Sequence, residues 1–140
     1  SNQHFPKPPK KELFEHVVIA MDWSPASDKA LHYFFMFEKM VKALEIVNVI
    51  NDKLTIKDIR ELKERLTKTR KLCLNRGIDA ESHIYAGKTS EEIITAAKDY
   101  KASLIVLGVN PRKNIFKKLF KRSSSYKIAE RAQVPVLVVP

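Results

Sequence analysis

Apolar and polar positions follow two alternating periods along this chain. Residues 16–21, HVVIAM, form an unbroken apolar run, the pattern of a strand covered on both faces in a parallel sheet. Ser24 then suits an N-cap and Pro25 the first helical position, which predicts a helix running to about Met40. Residues 44–50, LEIVNVI, predict the second strand. Thr55 and Asp58 form a capping box for a helix in which Ile59, Leu62, Leu66 and Cys73 share one side, charges occupy the other, and Gly77 supplies a left-handed stop. Residues 80–85 predict a third strand. Thr89 and Glu92, after Gly87, predict a second capping box and a short helix to about Lys101. Residues 104–108 (LIVLG) then read as a strand, 123–131 as a helix and 134–140 (VPVLVVP) as the fifth strand. Alternation of this kind requires right-handed crossovers, so the predicted architecture is α/β: a five-stranded parallel, doubly wound, Rossmann-like sheet with helices on both faces.

Composition narrows the setting of that fold. A length of 140 residues suits one domain. Pro6, Pro8 and Pro9 among lysines predict a flexible arm or linker over residues 1–12, with the folded domain over 13–140. No apolar run approaches the roughly 20 residues needed to span a bilayer. Cys73 is the sole cysteine, which excludes an internal disulfide and fits a cytoplasmic location and a packing role. The formal charge is +10, and residues 110–133 hold eight of the basic residues against one acid, Glu130. Such a segment is either a solvated face or an anion-binding surface.

In a doubly wound sheet the ligand crevice lies beyond the carboxyl ends of the strands, where the winding reverses. That rule brings together the turn after the first strand, the end of the second, and the loop after the fourth. Asp22 can accept hydrogen bonds there, the Val49 backbone can meet an adenine edge, and Ser123 to Ser125 begin a helix whose free N–H groups favour phosphate. Catalytic readings find less support. His4, His16, His32 and His83 lack metal-ligand spacing, no G-x-S-x-G elbow precedes a helix, and no RNA-binding signature interleaves aromatics with the basic run.

Four stretches, HVVIAMDWSPASDKAL, the Asn48-Val49 pair, AGKTSEEIITAAKDYKASLIVLG and VPVLVV, together resemble the universal stress protein family from residue 16 to residue 139. The resemblance implies strand order 3-2-1-4-5, a homodimer formed through the C-terminal strand, and a regulatory binding protein rather than an enzyme. It also implies ATP or AMP as ligand, held by a loop patterned G-x2-G-x9-G-[ST]. In this chain Gly108 fills the first glycine position, Pro111 replaces the second, and Lys121 or Arg122 stands at the third. The family's site carries over to Asp22, Val49, Gly108, Ser123 and Ser125, with Arg122 as a basic newcomer. Proline fixes φ and removes an N–H donor, and a Cβ obstructs close backbone approach to phosphate. The expectation is therefore a regulatory dimer with weak or no ATP binding. One alternative is a nucleotide sensor that holds phosphates through Lys113, Lys118, Lys121 and Arg122. Another is a soluble domain appended to a membrane transporter, resting on an anionic membrane surface; no specific nucleic acid is expected as a partner.

Overall fold

The computed structural model describes residues 13–110 and 124–140. Its elements are β1 (His16–Ala20), α1 (Pro25–Phe34) running into a 3₁₀ helix (Phe35–Met40), β2 (Ala43–Ile50), α2 (Ile56–Asn75) and β3 (Asp79–Ala86). They continue as α3 (Thr89–Asp99), β4 (Leu104–Gly108), α4 (Ser124–Arg131) and β5 (Val136–Val139). All pairings are parallel, and the order is β3-β2-β1-β4-β5. The doubly wound α/β sheet read from the alternating pattern is therefore the fold. Among the described residues no helix is long and apolar enough to cross a membrane.

Strand alternation sorts the apolar runs onto two faces. Val17 and Ile19 point into the layer beneath α1 and α2, with Phe34, Leu44, Ile46, Leu62 and Leu66. Val18 points the other way, into the layer with Val47, Ile93, Ala96, Ile105 and Ile128 under α3 and α4. Cys73 is fully buried in the first layer, where burial pushes its thiol pKa up to about 11. Its role is packing.

Three local expectations shift. The α-helix stops at Phe34 rather than Met40, because the 3₁₀ period of three brings Phe34, Phe37 and Met40 onto one side. There Phe37 stacks on Phe14 at 4.9 Å. Ile59 leaves the buried stripe of α2 and is 37% exposed, while Thr69 joins Leu62, Leu66 and Cys73 inside. The predicted Thr89–Glu92 capping box does not form, since the helix begins one residue earlier, with Lys88 at its N-cap. The Glu92 side chain instead lies over Gly87, whose φ of +145° is open to glycine.

A buried acid bridges three strands away from their carboxyl ends. Glu45 on β2 accepts from His16 Nε2 on β1 at 2.5 Å and from His83 Nε2 on β3 at 2.6 Å. The Tyr100 ring stacks on His83, with its hydroxyl 3.1 Å from His83 Nδ1. Both carboxylate oxygens thus have a partner, which is what permits an acid at this depth.

Candidate functional site

β1 ends before β2, so the sheet leaves a step at its carboxyl edge. Met21 N–H still donates to the Val47 carbonyl at 2.8 Å. Two residues further on, the Val49 carbonyl and N–H turn toward the same side by strand alternation, where β1 no longer runs. The buried Asn48 side chain ties the two ends together by donating from Nδ2 to the Met21 carbonyl at 2.7 Å.

Asp22 is fixed by the residues that start α1. Its Oδ1 accepts from Ser24 N–H at 3.0 Å, Ser24 Oγ at 2.6 Å and Ser27 Oγ at 2.8 Å. Ser24 in turn caps the helix, accepting from Ser27 N–H at 3.2 Å. Burial would raise the Asp22 pKa, but the Ser24 hydroxyl and amide, with the Ser27 hydroxyl, together outweigh it and hold the carboxyl below its usual 3.8. One oxygen is thereby committed to the cap while the residue stays exposed.

Between these residues Trp23 adopts φ 58°, a left-handed conformation that costs a bulky side chain about 1–3 kcal/mol. Its indole N–H offsets part of that cost by donating to Thr69 Oγ1 at 3.0 Å, and the Arg65 guanidinium lies 5.7 Å from the ring centroid. The turn carries the chain from β1 into the Ser24 cap and places the indole beside α2.

The result is a cleft of about 310 Å³ over the ends of β1 and β2. Asp22 and Trp23 line one side, Asn48, Val49 and Ile50 the floor, and the first turns of α2 the other side. Among the described residues its charge is one-sided: Asp22, Asp52, Asp58 and Glu61 face it, against Arg65. Asp58 also accepts the Thr55 backbone N–H at 3.0 Å, and that bond, with the Thr55 hydroxyl, lowers its pKa.

The residues expected at the site divide into four groups. Asp22 and Val49 share the cleft. Gly108 ends β4 and is not among the cleft's lining residues; it packs against the first turn of α1, where a Cβ would lie 2.1 Å from the Ala26 carbonyl oxygen. Arg122 and Ser123 lie outside the described residues, as do Pro111, Lys113, Lys118 and Lys121. Ser125 falls in the first turn of α4. Sequence reasoning missed Asn48, Asp52, Asp58, Glu61 and Arg65 as cleft residues. The signal was present in α2, where Asp58, Glu61, Leu62 and Arg65 follow i, i+3, i+4, i+7 spacing on one face. Among the described residues no group of three His, Cys, Asp or Glu is arranged to hold a metal ion.

A parallel doubly wound sheet with a polar cleft at its strand ends defines the class of open α/β ligand-binding folds. Residues 13–140 match the model of the universal stress protein family, and the chain belongs to that family. Several solved structures share the fold. A universal stress protein from Archaeoglobus fulgidus superposes with TM-score 0.72 at 22% identity, over 91% of this chain and 94% of that one. Another from Archaeoglobus fulgidus, in complex with dAMP, gives TM-score 0.71 at 20% identity, over 91% of this chain and 99% of that one. A family protein from Arabidopsis thaliana with AMP bound gives TM-score 0.67 at 15% identity, over 89% and 90% of the two chains. No curated protein matches the chain.

Proposed function

We propose that this chain is a non-enzymatic regulatory domain whose cleft takes an adenosine-type ligand of low charge, with weak or no affinity for ATP. The observation that carries the reading is the acidic wall around Asp22 and Val49. An anionic group placed beside Asp52, Asp58 and Glu61 meets repulsion of about 1 kcal/mol per close pair in water, so the cleft suits the uncharged nucleoside with a short phosphate chain rather than a long one. In this reading the Val49 backbone meets the base edge and the outer oxygen of Asp22 accepts from the ligand. Ser123, Ser125 and Arg122 are the proposed phosphate-side contacts. The dAMP and AMP bound by the Archaeoglobus fulgidus and Arabidopsis thaliana proteins support a monophosphate as the ligand class.

The regulatory output runs through a homodimer in which β5 of each chain meets its copy. β5 is an edge strand of the sheet with Val138 40% exposed, and an apolar edge of this kind favours strand-to-strand association. Titration calorimetry with adenosine, AMP and ATP tests the ligand reading. AMP is expected to bind more tightly than ATP, Asp22→Ala to weaken AMP, and Asp58→Asn with Glu61→Gln to narrow the gap between the two nucleotides. ATP binding more tightly than AMP to the unaltered chain would overturn it.

A further inference from the structure

The charges on α2 are segregated by face. Asp58, Glu61 and Arg65 turn toward the cleft. On the side opposite the buried stripe of Leu62, Leu66, Thr69 and Cys73 lie Lys57, Arg60, Lys63, Lys68 and Lys71, all exposed, with Glu64 as the acid among them. Their spacing places them on two adjacent ridges of the helix. Among the described residues none of these five cations is in an ion pair, although Arg70 and Arg76 nearby do find Glu81 and Glu38. The ridge of Lys63, beside that of the other four cations, carries two apolar side chains at its ends, Ile56 at 77% exposure and Leu74 at 39%. They are eighteen residues apart, about five turns, so they fall on one line roughly 27 Å long with the cations between and beside them.

We infer that this outward face of α2 docks on an anionic phospholipid surface. A flat acceptor touches both ends of a straight ridge at once and gives every lysine a headgroup, and the two apolar ends reach the acyl boundary. A nucleic acid backbone matches the charge but offers nothing to Ile56 and Leu74, and the ridge carries no aromatic side chain to stack on a base. The inference is independent of the cleft, which opens on a different side of the same helix.

Co-sedimentation of the purified chain with phosphatidylcholine vesicles, with and without phosphatidylserine, across a salt series tests the docking. Binding is expected to require phosphatidylserine and to weaken as salt rises. Neutralising two cations in Lys63→Gln/Lys71→Gln is expected to weaken it by about thirtyfold. Ile56→Ser is expected to weaken it as well, and both variants are surface changes that keep the unaltered melting temperature. Four results would overturn the inference: no dependence on phosphatidylserine, no effect of the α2 variants, loss only on Lys117→Gln/Lys118→Gln, or tighter binding to duplex DNA than to the anionic vesicles.

Discussion

Gly108 and Ala26 are in direct backbone apposition: a Cβ built on Gly108 would stand 2.1 Å from the Ala26 carbonyl oxygen and 2.4 Å from its carbonyl carbon. The end of β4 therefore seats the first turn of α1, and both neighbours of the missing side chain are rigid main chain. A glycine at this position has a packing reason that holds whether or not any phosphate is nearby.

Gly108→Ala is accordingly expected to destabilise the ligand-free chain by about 1–3 kcal/mol or more, the range for overpacking against atoms that cannot rotate away. Urea unfolding of the ligand-free protein reads this directly. An unchanged midpoint would show that β4 and α1 separate easily and that the glycine is kept for another reason.

Asp22 gives the acid side of the stability profile a defined contribution. Folding lowers its pKa below 3.8, so the ionised carboxylate contributes stability above that value, and the contribution is lost as pH falls through the lower folded-state value. Asp22→Asn is expected to be less stable than the unaltered chain at pH 7, with the difference shrinking by pH 3. Thermal melts of both proteins across that range check the sign, and a gap that widens on acidification would contradict it.

Glu45, shared by His16 and His83, is the buried polar centre of the sheet. Glu45→Ala is expected to cost about 1–3 kcal/mol by leaving two imidazole donors without their acceptor. Once His83 is replaced by Ala, the same change should cost less, so a double-mutant cycle by urea denaturation should give a coupling of about 0.5–3 kcal/mol. Simple additivity would mean that the histidines find other partners.

Cys73 is fully buried and its thiol pKa is pushed up to about 11, so the thiolate is scarce at pH 8. Ellman's reagent is expected to leave the native protein unlabelled and to react with one thiol per chain in denaturant. Rapid labelling of the folded protein would place Cys73 outside the core.

The fold was legible because the burial of these strands on both faces writes itself as unbroken apolar runs, as in residues 16–21 and 104–108. Thr55 with Asp58 was legible for a different reason, since a capping box depends on side chains three residues apart and little else. Phe37 and Thr69 were not, because their placement is decided by what they pack against. Phe14 draws the chain into a 3₁₀ turn around Phe37, and the Trp23 indole gives Thr69 a reason to face inward. At the site, Asp22 and Val49 followed from the rule that places crevices at strand ends. The acidity of the cleft did not, since Asp58 and Glu61 reach it only through the position of α2 relative to β2, and Asp52 through the turn between them. Gly108 showed the limit of motif reasoning most plainly, for a glycine at a loop's first position is also the residue on which a helix rests.

The most direct test of the central claim is denaturing mass spectrometry of the freshly purified chain, with the released small molecules quantified against protein. No stoichiometric ATP is expected, and at most a substoichiometric adenosine monophosphate. One ATP released per chain would contradict it.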